Sequence, residues 1–486
     1  MASEEDLDAL KARNLCCHCV GEPYLHADIR SKERRLKCDY CGRKAKAIRL
    51  EEMSERIEQA FESHYVRTSN HPDSWQQTLL SDRESDYDWE RDGDPVVEAI
   101  AGAAEIPEAV AEDIQAILGA KHGGSNAAAM QGETEFSADS CYQERGTSDY
   151  LWQEEWRIFE HMLKTEARLF SRSAAALLAS VFEGIETMST RDGRPLVVDA
   201  GPGAPLGAVY RARVFQSDAP LKAALCRPDQ HLGSPPSGLA RAGRMNALGI
   251  SVFYGANDPR VAIAEVRPPV GSRVAVARFD VIRPLRLLDL TALGNVAGGG
   301  SIFDPELESR LERTMFLRSL SERIVQPVMP DDEAFEYLPT QAIADFLSTE
   351  YEPPIDGIVF PSAQVAGDVL NVVLFHKAAR VEVIQLPEGS EIEASTDHAY
   401  DENWVPGYDV VERVPPVQAE AAPSMEDEFL ADFSEYGWLP PGMDGREPAL
   451  RADLESIKVH HVRRVDFDTD SYDVRRRRWE KRDVEF

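Results

Sequence analysis

Residues Gly243–Val266, GRMNALGISVFYGANDPRVAIAEV, hold the change of period on which the fold turns. Ile250–Gly255 is a short apolar and aromatic run ended by glycine, the pattern of a strand. Asp258 then reads as a helix N-cap, with Pro259 at the first helical position. That helix carries Val261 to Val266 and has to stop before Pro268-Pro269. A strand followed by a capped helix predicts a mixed α+β domain.

Working outward, the same periods recur. Ala208–Phe215, Arg273–Val281 and Leu285–Leu290 read as strands, and Asp304–Val325 and Thr340–Glu350 as helices. Gly357–Phe360, Asn371–Phe375 and Val381–Gln385 read as closing strands. Together they predict an α+β domain over 200–385. Upstream, Arg191–Gly207 carries Pro195, Pro202 and Pro205 among glycines and marks a break. Residues 51–190 read as an α-helical domain, with helical spacing in Leu50–Tyr65, in Pro95–Leu118 (interrupted near Pro107) and in Tyr150–Met188. Residues 386–486 are acidic and lack sustained periodicity. They are expected to be a largely irregular tail, dispensable for chemistry, with Trp404, Trp438 and Trp479 as its candidate docking points.

The chain has 486 residues, with 85 Asp and Glu against 53 Lys and Arg, a formal net charge of −32. That balance repels nucleic acid and anionic membranes as a whole, though not at a local basic patch. No apolar run approaches the roughly 20 residues of a membrane helix. Met1–Asp8 is acidic and lacks the apolar core of a secretory signal, so a cytoplasmic location is expected.

Five of seven cysteines fall in the first 41 positions, which argues for metal rather than disulfides in a cytosolic chain. Cys16-x-x-Cys19 and Cys38-x-x-Cys41 lie 18 residues apart, a spacing that lets four thiolates surround one Zn²⁺. Residues 1–50 are therefore expected to be a zinc ribbon with four cysteine ligands. Four thiolates leave no open position, so the metal reads as structural. Cys17, His18 and His26 are the competing ligands. Arg34, Arg35, Lys37, Arg43, Lys44 and Lys46 make the ribbon basic. A solvated face is the preferred reading of these residues, and contact with nucleic acid or an acidic partner is the alternative.

In the second half, Arg211, Arg244, Tyr254, Glu265 and Ser362 stand out. Glu265 is flanked by Ala262, Ile263, Ala264 and Val266, where a carboxylate is costly unless it is paired or lines a cavity. Ser362 ends an apolar strand. Two arginines, an aromatic ring, a carboxylate and a hydroxyl suit a phosphorylated, positively charged ligand. Arginine holds pyrophosphate, tyrosine stacks on a planar ring, and glutamate bonds ribose hydroxyls and stabilises a cation. From pattern alone the plain alternative stays open: strand-edge arginines and a salt-bridged helix glutamate.

The stretch from about Ala208 to Arg380 resembles the RES domain family. Its motifs match, in order, Arg211, Gly243-Arg244-Met245-Asn246, Tyr254, the helix with Glu265, and Pro361-Ser362; Asn371 fits the polar position before the last strand. The resemblance implies an architecture like that of ADP-ribosyltransferases. It also implies a toxin that consumes NAD⁺ by hydrolysis or phosphorolysis, or that ADP-ribosylates a protein, and that is usually paired with an antitoxin. Arg211, Arg244, Tyr254, Ser362 and Asn371 would bind NAD⁺, and Glu265, Tyr254, Ser362 and Arg244 would carry the chemistry. The N-terminal half, Cys16 to about Met188, resembles the HEPN/RES N-terminal domain. HEPN ribonucleases carry an Arg and a His with four to six residues between them. Here Arg67/His71 and Arg157/His161 have three between, so no RNase activity is expected. The leading expectation is NAD⁺ cleavage at the nicotinamide–ribose bond. Protein ADP-ribosylation is the rival, and a zinc-ribbon adaptor with an inactive RES domain is the non-enzyme alternative.

Overall fold

The computed structural model describes residues 4–82, 85–123, 133–166, 168, 170–367, 369–400, 403–416, 444–466 and 469–478. Trp438 and Trp479 lie outside these residues, as does the side chain of Trp404. The chain forms two compact units, Met1–Leu196 with Ala292–Ile324, and Val197–Thr291 with Val325–Phe486.

In the first unit, β1 (Asn14–Cys16), β2 (Arg35–Lys37) and β3 (Lys44–Arg49) form an antiparallel sheet in the order β1-β3-β2. Each cysteine pair sits at a tight turn, and Gly42 takes φ +74° after the second, a conformation that favours glycine. β3 runs directly into helix Leu50–His64. One apolar core continues from Leu15, Leu25 and Ile48 through Ile57 and Phe61 to Ile100 and Ile114. The expected boundary at residue 50 therefore divides elements of a single core.

Helices Val96–Ala104 and Glu108–His122 follow the interrupted pattern, turning at Glu105 (φ 49°) ahead of Pro107. The long pattern over 150–188 breaks in two, Tyr150–Thr165 and Arg172–Phe182, because the Ser171 hydroxyl caps the second helix by accepting from the Ala174 N–H. Short strands β4 (Tyr65–Arg67), β5 (Asp94–Pro95) and β6 (Cys141–Glu144) form a small sheet, β4-β6-β5. Helix Leu307–Val325 also packs in this unit, setting Phe316 5.6 Å from the rings of both Trp152 and Trp156. The expected unbroken run over 200–385 is thus interrupted at 292–324, because that helix buries its aromatic face against tryptophans far upstream.

The second unit is built on one mixed sheet. Its strands are β7 (Val197–Ala200), β8 (Ala208–Phe215), β9 (Phe253–Ala256), β10 (Arg273–Val281), β11 (Leu285–Asp289), β12 (Gly357–Pro361), β13 (Leu370–Leu374) and, after a hairpin of β14 (Glu391–Tyr400) and β15 (Asn403–Arg413), β16 (Leu450–His461). The order is β16-β10-β8-β9-β13-β12-β11-β7, with only β11 and β12 parallel. Helix Pro259–Glu265 starts where the sequence placed it, with the Asp258 carboxylate accepting from the Arg260 N–H at 2.7 Å.

The reading of 386–486 as largely irregular is corrected, among the described residues, at 391–400, 403–413 and 450–461. β14 and β15 pair over most of their length, and β16 lies antiparallel along β10 from Arg273–His461 to Val281–Leu450. Leu450–His461 mixes charged residues into an edge strand with one half-buried face, so it lacks the apolar run of a central strand. Val381–Gln385 is not a strand: Val381 makes only an isolated bridge to Leu450. Truncation near residue 389 would remove β16, an edge strand of the large sheet.

Candidate active site and metal centre

The Sγ atoms of Cys16, Cys19, Cys38 and Cys41 all lie within 4.8 Å of one another. Cys16 is 3.8 Å from Cys19 and 3.5 Å from Cys41, and Cys19 is 3.9 Å from Cys38. Thiolates bound at ~2.3 Å around a tetrahedral ion stand about 3.8 Å apart, so the four residues fit one metal ion. Cys17 points away into the apolar core and is 4 % exposed. His26 Nδ1 is engaged with the Val20 carbonyl at 3.2 Å. Burial pushes the Cys16 thiol up to about 11 and raises Cys19 as well. The Arg43 backbone N–H pulls the exposed Cys41 down to about 7. Two thiols are thus costly to ionise without a cation, while the fourth corner already favours thiolate.

The other site is a gap in the large sheet. β8 and β9 pair only at Tyr210–Ala256 and then part. The gap opens into a cleft of about 450 Å³ whose walls include Arg211, Arg244, Tyr254, Glu265 and Asn371. That volume is in the range of small-molecule sites. Arg211 comes from β8. Its guanidinium sits 4.9 Å from the Phe253 ring, and its Nη1 is buried with no hydrogen-bond partner among the described residues. Burial, with Arg213 adding to it, lowers its pKa to about 10. A shielded, unpaired guanidinium nitrogen at a cleft wall is a seat for an anion.

Glu265 is the last residue of its helix and is exposed, and it lines the cleft, as a carboxylate on an otherwise apolar helix should. A carboxylate at a helix C-terminus opposes the helix dipole. It is held from outside the helix instead. Its Oε1 accepts from Ser362 Oγ at 2.9 Å and from Asn371 Nδ2 at 2.8 Å. Asn371, 6 % exposed, stands on β13 opposite Phe360 of β12, and Ser362 follows β12 directly. Glu265 Oε2 has no hydrogen bond among the described residues and so remains available to a ligand. Ser362 is not part of the cleft wall, although its neighbours Pro361 and Ala363 are. Its hydroxyl meets the cleft through Glu265.

The Gly-Arg-x-Asn element forms a rigid loop. Gly243 and Asn246 bond each other through their backbones, and Asn246 Nδ2 donates to the carbonyls of Arg241, Ala247 and Ile250. Tyr254 pins the loop: its hydroxyl donates to Asn246 Oδ1 at 2.9 Å and accepts from the Met245 N–H at 3.0 Å. Burial pushes that phenol up to about 12. A Cβ on residue 243 would stand 2.7 Å from the Tyr254 hydroxyl, so the position requires glycine. The start of helix Leu338–Thr349 clamps the same loop, with Thr340 Oγ1 donating to the Arg244 carbonyl at 2.5 Å and Gln341 Nε2 to that of Gly243 at 2.8 Å. Arg244 itself lies 5.1 Å from the Tyr337 ring.

Two contributors escaped the sequence reading, and Asn246 was read only as part of its motif, not as the organiser of the loop. Tyr337 supports Arg244. Arg267 lines the cleft from a left-handed conformation (φ 42°) that ends the Glu265 helix ahead of Pro268. Only the Arg-Pro-Pro stop was a signal for the last; nothing in the sequence linked residue 337 to residue 244. In the first unit, Arg67 is tied to Glu133 at 2.7 Å and Glu135 at 2.9 Å, and Arg157 to Glu154 at 2.6 Å, so both candidate HEPN arginines are engaged in ion pairs.

A family model for the RES domain matches residues 209–397. The match takes in every cleft residue named above and leaves the first 208 residues unmatched, including the part that resembles the HEPN/RES N-terminal domain. No curated protein and no solved structure matches the chain. No described helix is long and apolar enough to cross a membrane.

Proposed function

We propose, with residues 209–397 as a RES domain for premise, that the chain cleaves NAD⁺ at the nicotinamide–ribose bond. The observation that carries this reading is the Glu265 carboxylate, fixed through one oxygen by Ser362 and Asn371 and free at the other, on a cleft that also holds Arg211. Arg211 and Arg244 would take the pyrophosphate, and the Tyr254 ring would bound the nicotinamide. The bond from ribose C1′ to the ring nitrogen breaks, and its electron pair leaves with neutral nicotinamide, so no strong acid is needed. Glu265 stabilises the cation left on the ribose. Water then attacks C1′ and releases a proton, giving ADP-ribose; phosphate as acceptor gives ADP-ribose 1″-phosphate, and a protein side chain gives an ADP-ribosylated protein. We assign Zn²⁺ to the cysteine cluster, since four thiolates suit it and leave no open position. An antitoxin or another regulatory protein would be the macromolecular partner that the family reading implies.

The test is incubation of the purified protein with NAD⁺, with and without phosphate, and mass spectrometry of both small molecules and protein. Release of nicotinamide is expected. Intact NAD⁺ after prolonged incubation would defeat the reading.

A further inference from the structure

A second polar cavity lies within the first unit and shares no residue with the RES cleft. It measures about 460 Å³ and is lined by Arg191, Asp192, Arg194, Gly294, Asn295 and Arg318. Three arginines around one hollow are unexpected in a chain of net charge −32.

The scaffold behind them is fixed. Thr190 N–H donates to the Arg194 carbonyl at 2.8 Å and Gly193 N–H to that of Thr190 at 3.0 Å, closing a tight turn in which Gly193 takes φ +83°. Thr190 bridges Val296, and Ala297 N–H donates to the Ser189 carbonyl at 2.8 Å, so the turn is laid against segment 294–297. Arg318 comes from helix Leu307–Val325. Its Nε and Nη2 both donate to the Val296 carbonyl, at 3.0 and 2.5 Å, which orients the guanidinium. That carbonyl is the single hydrogen-bond acceptor found for Arg318 among the described residues. Burial lowers the Arg318 pKa, and the charge of Arg191 lowers it further. The one carboxylate among the residues lining the cavity, Asp192, accepts from the Thr190 hydroxyl within its own turn. Two guanidinium groups that repel each other across a hollow, one of them oriented by a carbonyl and partly desolvated, are relieved by an anion between them.

We propose that this cavity binds a phosphate group, with Arg318 and Arg191 as its principal donors and Arg194 at its edge. The same chemistry is offered by free phosphate, by pyrophosphate and by the phosphates of a nucleotide, and the test separates these sources.

The full-length protein would be titrated calorimetrically at low salt with inorganic phosphate, pyrophosphate and ADP in turn. Saturable binding of at least one is expected, and the tightest of the three identifies the source. Arg191→Glu with Arg194→Glu changes two exposed side chains and leaves the turn's backbone bonds in place, so folding is checked by an unchanged melting curve. Binding should weaken roughly 10- to 100-fold, as for loss of charge-assisted bonds. Arg318→Met should weaken it similarly, and Arg318→Lys should restore part of it. Arg211→Ala removes the anion seat proposed for the other cleft, so any binding there is lost while binding that depends on Arg191, Arg194 and Arg318 should persist. No saturable binding of any probe would overturn the proposal. So would binding that survives the Arg191/Arg194 change and disappears with Arg211→Ala.

Discussion

The cysteine cluster and the RES cleft are opposite solutions to holding charge. The cluster draws its four ligands from Cys16 to Cys41, on two knuckles of one small sheet. The cleft draws Arg211, Glu265 and Asn371 from β8, a helix end and β13. In the cluster every sulfur faces the others, and the fourth corner closes the set. In the cleft Arg211 Nη1 and Glu265 Oε2 have no hydrogen-bond partner among the described residues. A closed set stabilises a fold; an open one waits for a ligand. The difference predicts that damage to the first appears in stability and damage to the second in turnover.

The largest effect should follow loss of a metal ligand. Structural zinc sites contribute on the order of 10 kcal/mol to folding. Cys38→Ser should abolish bound metal by elemental analysis and unfold the sheet of the first unit. Cys17→Ser should keep one metal per chain, because Cys17 belongs to the apolar core. Metal lost from Cys17→Ser and kept by Cys38→Ser would reverse the ligand assignment.

Glu265→Gln is next. It keeps the shape and removes the charge, and turnover should fall by about 10²–10³. Glu265 is exposed, so the melting temperature should stay near wild type. A lower melting temperature with normal turnover per folded molecule would make Glu265 a structural residue, and the contrast between the two sites would collapse.

How far each site could be read in advance follows from the same difference. The cysteines are local, and their spacing alone carried the assignment. The strand and capped helix from Ile250 to Glu265 were legible because Asp258, Pro259 and Pro268 mark both ends. The partners of Glu265 come from the end of β12 and from β13, about a hundred residues on; the apolar strand end marked Ser362 as a candidate, and only the family pattern pointed to Asn371. Their bonds to Oε1 depend on strand pairing that no local period encodes. The Tyr337–Arg244 contact had no signal at all. β16 was missed for a related reason: an edge strand with one exposed face, its charges mixed into an otherwise acidic tail, looks like loop. The helix at 307–325 was legible as a helix, while its aromatic partners Trp152 and Trp156 were not, so its place in the first unit was hidden.

Arg211 tests the idea that the cleft holds an unmet charge. Its folded pKa, about 10, lies below the ordinary 12.5. The unfolded chain therefore binds more protons between those values, and stability rises with pH across that window. Below pH 10 the full cost of the charged side chain is present. Arg211→Met should remove it and raise stability by roughly 1–3 kcal/mol, read as a higher melting temperature at neutral pH. The same change should weaken NAD⁺ binding. A variant that is less stable than wild type would mean that Arg211 supports the sheet rather than waiting for an anion.

The smallest effect should come from Ser362→Ala, and it sharpens the comparison most. One missing sulfur leaves a metal three-coordinate and the cluster fails as a whole. One missing anchor leaves Glu265 still held by Asn371 at 2.8 Å. The carboxylate then samples more orientations, and its free oxygen is aimed less well. A net charge-assisted hydrogen bond contributes about 1.5–3 kcal/mol, part of which the remaining anchor retains, so kcat should fall roughly tenfold. KM should hardly move, because Ser362 lies off the cleft wall, on which Arg211 and Arg244 are the proposed phosphate seats. Ser362→Thr keeps the hydroxyl and should recover most of the rate. A loss as deep as that of Glu265→Gln, with no rescue by threonine, would mean that Ser362 itself meets the substrate. In that case the hydroxyl turns from its 2.9 Å bond with Glu265 toward the cleft when the ligand enters.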